Sequence, residues 1–291
     1  MSRIGAVFSP YPHPPERLPD AARHAEAAGV EELWLWEDCF RSSAYAAAVA
    51  ALSATSRLRI GIGIAPLPLR NVAVSAMEIA TIDRLFPGRL LPGLGHGVQS
   101  WMRQAGARVA SPLTLLREQL PALRSLLAGE TVSTRGRYVT LDGVALDWPP
   151  AVAPRVYAAA EGPKTLRLVG AVADGVVLDS RYTPDEVAAF VAAVRAGREE
   201  AGVGGAPEVV AYALTVFGDD PARARAAVGD RPDPTERVLT GAVAQVVDRT
   251  AAYFAAGVDR LVLQPTDDAD LSDFSSQVGE VSRLIGAGGR R

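Results

Sequence analysis

Short apolar runs alternate along this chain with longer segments whose apolar positions recur at helical spacing. Arg3 to Phe8 reads as a short buried strand. After a proline-rich loop, Glu16 to Gly29 reads as a helix, with Leu18, Ala22, Ala25 and Ala28 on one side and Gly29 as its stop. Glu32 to Trp36 is a second strand and Ser42 to Ser56 an alanine-rich helix. Leu58 to Ile64 is a third strand, Arg70 to Phe86 a third helix and Arg89 to Leu94 a fourth strand. The third and fourth strands are rich in glycine toward their C-terminal ends.

The alternation then pauses. Leu113 to Ala128 has helical spacing, and Thr131 to Leu141 alternates with period two around Arg135-Gly136, which predicts a hairpin. Residues 96 to 153 therefore read as an insertion between strands four and five. Strands follow at Arg155 to Ala160, Gly175 to Asp179, Glu208 to Phe217 and Asp259 to Gln264. Helices are predicted at Pro163 to Ala173, Pro184 to Gly202, Asp220 to Gly229, Val243 to Gly257 and Phe274 to Ile285, with Gly286 to Arg291 as a frayed tail. Eight strands separated by helices imply a parallel sheet. In a chain of 291 residues they favour one α/β domain, a closed (β/α)8 TIM barrel with an insertion, over an open doubly wound sheet. A glycine-rich dinucleotide signature is missing after the first strand, which weakens the open-sheet alternative.

Composition narrows the picture. The chain is 48% hydrophobic and 22% charged, a globular balance, and its net charge of −3 argues against nucleic acid or an anionic membrane as partner. Lys164 is the only lysine, so 29 of the 30 basic residues are arginine. The single cysteine, Cys39, excludes an intrachain disulfide and a cysteine zinc cage. No secretory leader pattern and no run of ~20 apolar residues occur, which predicts a cytoplasmic protein. No His/Asp/Glu cluster has metal-ligand spacing, so no metal is expected.

In a barrel of this kind, chemistry gathers at the C-terminal ends of the strands. After strand two stand Glu37, Asp38 and Cys39: either carboxylate suits ring orientation or proton transfer, and the thiol is an acid, a nucleophile or an apolar filler. After strand three, Gly63, Ile64 and Ala65 offer bare backbone for close approach of a flat ring. After strand four, His96 lies between Gly95 and Gly97, so little local packing explains it, and it suits a hydrogen bond or proton transfer near neutral pH. After strand five, Ala160, Glu161, Gly162, Pro163 and Lys164 open a helix with free amides beside the lone lysine, a candidate phosphate site. His13 borders the pocket from the first loop, and His24 is a structural, mid-helix residue. Arg41, Arg103 and Arg181 lie in loops expected to touch substrate and leave room for an anionic one.

These residues carry a family likeness. Leu33 to Asp38, Ile60 to Ile64, Glu78 to Leu90, Gly93 to Gly97, Glu161 to Leu168, Ala173 to Val177 and Ala256 to Leu263 together resemble, in order, the bacterial luciferase-like monooxygenase superfamily and its deazaflavin-dependent branch. The resemblance implies a (β/α)8 barrel with an insertion, a homodimer, and a flavin-type ring at the mouth. It implies a cis peptide bulge behind the ring at Gly63-Ile64, and a cofactor phosphate at Glu161 to Lys164. Two positions depart from the branch. Cys39 stands where several members carry a proton-transferring histidine, and His96 stands where a small or hydroxyl residue is common.

The resemblance thus implies an oxidoreductase using coenzyme F420 on a small organic substrate. Asp38 would orient the ring or proton donor, Gly63 and Ile64 would back the ring, and His96 would take over the acid/base work expected at position 39. The remaining alternatives are an FMN-dependent two-component monooxygenase and a non-catalytic binding protein.

Overall fold

The computed structural model of the protein describes residues 3–229 and 234–288. Its strands are β1 (Arg3–Val7), β2 (Glu32–Leu35), β3 (Arg59–Pro66), β4 (Leu90–Gly95), β5 (Val132–Arg135), β6 (Thr140–Val144), β7 (Tyr157–Ala159), β8 (Gly175–Leu178), β9 (Glu208–Phe217), β10 (Val238–Gly241) and β11 (Arg260–Gln264). Strands β1, β2, β3, β4, β7, β8, β9 and β11 pair in that order, all parallel. The ring closes where β11 returns to β1. This is the predicted (β/α)8 barrel.

Helices α1 (Leu18–Ala27), α2 (Ala44–Ser53), α3 (Val72–Leu85), α4 (Gln99–Gln104), α5 (Pro112–Leu127), α6 (Pro163–Val172), α7 (Pro184–Glu200), α8 (Pro221–Val228), α9 (Pro234–Arg237), α10 (Val243–Ala255) and α11 (Leu271–Gly288) connect them. Local chemistry sets the starts. The Asn71 and Ser111 side chains accept first-turn amides of α3 and α5, and Thr183 with Glu186 forms a reciprocal capping box on α7 with Pro184 at its first position. Helix α11 continues through Gly288, where a frayed tail was expected from Gly286; residues 289–291 lie outside the described residues.

Three local expectations are corrected. Helix α5 packs against α3 and α6 and so serves as the barrel helix of the fourth unit. What departs from the repeat between β4 and β7 is α4 and the β5–β6 hairpin. The hairpin does not turn at Arg135-Gly136: Arg135 still pairs with Thr140, and residues 136–139 make the loop. The Glu118 carboxylate on α5 draws that loop down by accepting the amides of Arg137, Tyr138 and Val139 at 2.9, 2.8 and 3.1 Å. Strand β10 was not anticipated. It pairs with residues 214–217 of the long strand β9, beyond the segment that β11 and β8 occupy, except that β11 also reaches Leu214.

Inside the barrel, charge and aromatic rings occupy separate levels. At the N-terminal end, the fully buried Glu32 meets Arg260, Arg59 at 2.6 Å and Arg3 at 3.6 Å. Glu208 joins Arg260 at 2.8 Å and the Tyr157 hydroxyl at 2.6 Å. Above it lies Trp34, edge-on to Tyr157 and Tyr212 at centroid distances of 6.3 and 6.0 Å. Gly61 gives the indole its space, since a Cβ there would collide with the ring. This plug closes the lower barrel and leaves the C-terminal mouth open.

Candidate active site

A cavity of about 840 Å³ fills the C-terminal mouth. Its floor is made by an irregularity in β3. Ile62 pairs with Pro92 and Ala65 with Leu94, so Gly63 and Ile64 of β3 oppose the single residue Gly93 of β4, a bulge. The Gly63–Ile64 peptide is cis, as is Cys39–Phe40. The glycines of β4 make the bulge fit. A Cβ at Gly93 would collide with the Ile62 carbonyl, and one at Gly95 would lie 3.0 Å from the Ile64 side chain. Gly97 has φ of +65°, and a Cβ there would crowd Pro66 at 2.9 Å. The glycine-rich strand ends are thus one packing solution around one platform.

Asp38 and His96 flank this platform, after β2 and β4 respectively. Asp38 accepts a 2.7 Å hydrogen bond from the Tyr11 hydroxyl. Burial raises its carboxyl above the ordinary range, against the opposing pull of Tyr11 and Arg41. The same contact and burial push Tyr11 up to about 12. His96 Nε2 is buried and has no hydrogen-bond partner, and burial lowers its imidazole below the ordinary 6.5, so the ring is neutral near pH 7. Its backbone is pinned by Gln99, whose amide donates to the carbonyls of His96 and Gly97 at 3.2 Å each.

The other strand-two residues take different roles. Glu37 lines the cavity, yet its two oxygens are occupied by Arg70 at 2.6 and 2.9 Å and by the Ala44 amide at 2.8 Å. It ties the start of α2 to Arg70. Cys39 is half-buried; burial and the neighbouring carboxylates push its thiol up, away from the thiolate a nucleophile needs.

At the β7–α6 turn, Ala160, Glu161 and Gly162 line the cavity together with Thr165. Pro163 and Lys164 do not line it; Lys164 is exposed. Gly162 starts α6 without a side-chain cap, which leaves first-turn amides available. The cation beside this turn is Arg181, ion-paired with Glu161 and with Asp179 at 2.7 Å. Ala65 is buried in the β3–β4 pairing and does not line the cavity.

Tyr212 was missed in the sequence because it lies inside β9, among residues that read simply as core. Its hydroxyl is buried without a partner at the cavity floor, directly where a Cβ on Gly63 would sit. Tyr11, Trp36, Asp179 and Gln264 also line the space. Two of the three loop arginines expected to meet an anionic substrate are engaged: Arg41 lies over the Tyr11 ring at 4.0 Å and Arg181 pairs with carboxylates. Arg103 lies outside the cavity lining. Among the described residues no group of three His, Cys, Asp or Glu is placed to hold a metal, and no helix is long and apolar enough to cross a membrane.

A flat backbone platform, edged by unpartnered buried polar atoms and an open helix N-terminus, defines a parallel-barrel site suited to a planar heteroaromatic ring with a phosphate tail. The chain belongs to the luciferase-like monooxygenase family, whose model matches residues 2–238. It is 29% identical to 5,10-methylenetetrahydromethanopterin reductase from Methanolobus tindarius, over 97% of this chain and 82% of that protein. It is 31% identical to F420-dependent hydroxymycolic acid dehydrogenase from Mycobacterium tuberculosis, over 88% of this chain and 76% of that protein. Among solved structures, an F420-dependent secondary alcohol dehydrogenase bound to an F420-acetone adduct superposes with a TM-score of 0.86 at 20% identity, covering 98% of this chain and 99% of the other. That degree of likeness establishes the shared fold.

Proposed function

We propose that this protein is an F420-dependent oxidoreductase that moves a hydride between the deazaflavin and a small organic substrate. The observation that carries the reading is the pairing of the Gly63-Ile64 platform with an unpartnered, buried His96 Nε2 at its margin. The relative named as an F420-dependent dehydrogenase aligns over most of the chain and supports the choice of cofactor. The cavity volume of about 840 Å³ also lies within the ~300–1,000 Å³ typical of small-molecule sites.

The bound cofactor would supply a two-electron hydride carrier. The protein's own groups would do the rest. Gly63 and Ile64 back the ring, and the first turn of α6 with Thr165 and Arg181 receives the phosphate. Asp38, held by Tyr11, orients a polar edge. His96, neutral at pH 7, accepts the proton of a substrate hydroxyl during oxidation and returns it during reduction. Trp36 and Tyr212, packed edge to face at 6.2 Å, form the aromatic floor of the cavity.

We further infer a cytoplasmic homodimer. Val74, Met77 and Leu85 project from α3 into solvent with relative exposures of 47%, 59% and 64% and, with exposed Thr81 among them, make a largely apolar face suited to a second copy of the same helix. Separate titrations with F420 and FMN, followed by absorption and fluorescence, test the cofactor reading. Saturable binding of F420 is expected; binding of FMN alone, or of neither, would refute it.

A further inference from the structure

A second cavity, of about 370 Å³, lies between the loop after β1 and the start of α2. It shares two walls, Tyr11 and Trp36, with the main cavity. The two spaces differ in charge. The main cavity is lined by Glu37, Asp38, Glu161, Asp179 and Arg181, whereas no carboxylate lines the second. The second cavity rests on Phe8, Leu18 and Leu35, which are 5%, 2% and 3% exposed. Its histidine, His13, packs against Phe8 at a centroid distance of 5.7 Å. Burial and nearby Arg17 lower its imidazole from the usual 6.5, against the pull of Asp267 and Asp270, which favours the neutral ring near pH 7. Its one cation, Arg41, already lies over the Tyr11 ring. Phe40, 70% exposed, continues the apolar lining onto the rim.

We propose that this second cavity binds the apolar part of the substrate, an alkyl or aryl substituent, while the reacting polar carbon lies beyond Tyr11 in the main cavity. The inference rests on the oxidoreductase reading and gives it a substrate class: alcohols or ketones with an apolar substituent rather than polyanionic ones. Tyr11 and Trp36 border both spaces, so a substrate lying across them would place its tail in one and its reacting end in the other. Tyr11 stands at the junction, half-exposed, tethered by its bond to Asp38 and covered on one ring face by Arg41, with its hydroxyl toward the main cavity. An uncharged, apolar floor with no carboxylate to solvate favours carbon over charge.

Binding of acetone, 2-butanone, 2-pentanone and 2-hexanone to the full chain, measured by ligand-detected NMR with F420 titrated in parallel, tests this. Affinity should rise roughly fourfold per methylene, the fold-change that corresponds to ~0.8 kcal/mol for a buried CH₂. Ala47→Phe and Ser42→Phe change residues that line the second cavity alone. Each variant should flatten the dependence below twofold per methylene and leave F420 affinity unchanged. Undiminished dependence in both folded variants, or none in the wild type, overturns the proposal. F420 binding without chain-length dependence would overturn the cavity assignment and leave the cofactor reading standing. Dependence lost only in the variants, with no F420 binding in any protein, would uphold the cavity and refute the cofactor.

Discussion

At the scale of single residues, His96 and Asp38 deviate in opposite directions for one reason: both lose solvent at the cavity, and each is pushed toward its neutral form. For His96 this leaves the base form at neutral pH. The acid limb of the kcat/KM profile should therefore fall with an apparent pKa below 6.5 in the oxidising direction. His96→Asn should remove that limb and slow turnover by ~10²–10⁴-fold; an unchanged profile would assign the proton elsewhere. For Asp38 the sign is opposite to that of a salt-bridged carboxylate. A folded-state pKa raised above 3.8 means that its contribution to stability is present at low pH and lost as pH rises through the folded value. Asp38→Asn, which keeps an acceptor for Tyr11, should therefore raise Tm at pH 7 while impairing activity, read by calorimetry and turnover on the same sample. Gly63→Ala would place a methyl against the Tyr212 hydroxyl and should destabilise by ~1–3 kcal/mol. Tyr212→Phe should recover part of that loss in a double-mutant cycle. The glycines, Asp38 and His96 were legible in the sequence because backbone permissiveness and rare chemistry are written in residue type. Tyr212 was not, because strand register brings it to the cavity, and Arg181 was named only as a loop cation, since its ion pairs with Glu161 and Asp179 are made across two loops. Lys164 drew attention by its rarity, yet its exposed position leaves Arg181 as the cation beside the turn.

At the scale of elements, apolar runs and helix stops located each barrel strand to within a few residues, since a strand buried on both faces has few other readings. The failures lie where tertiary contacts decide. The β5–β6 loop follows Glu118 on the preceding helix α5, and β10 exists because β9 extends past its neighbours. The charged ring at the N-terminal end of the barrel was likewise invisible, since its members come from the first residues of separate strands. Glu32 is its hub, with three arginines around a fully buried carboxylate. Glu32→Gln should cost ~3–5 kcal/mol in urea unfolding, because removing one partner strands buried positive charge. F420 affinity should be unchanged, since the cluster lies at the opposite end of the barrel from the cavity. A loss of cofactor affinity in a folded Glu32→Gln protein would show that the two ends of the barrel are coupled.

At the scale of the whole molecule, the fold divides labour between its ends: charge and aromatic rings close the bottom, and a bulged strand with glycine-rich neighbours opens the top. The α3 face is the proposed dimer contact: sedimentation velocity should find the wild type dimeric and Met77→Glu monomeric, and a monomeric wild type or an unchanged coefficient would refute that interface. The central claim is that the mouth is a deazaflavin site with His96 at its reacting edge, and a crystal structure with F420 bound tests it most directly. The account predicts the ring on the Gly63-Ile64 bulge, His96 Nε2 within hydrogen-bond distance of the ring or of a substrate lying on it, and the phosphate at the first turn of α6. A ring held away from that bulge, or His96 Nε2 facing neither cofactor nor substrate, would contradict it.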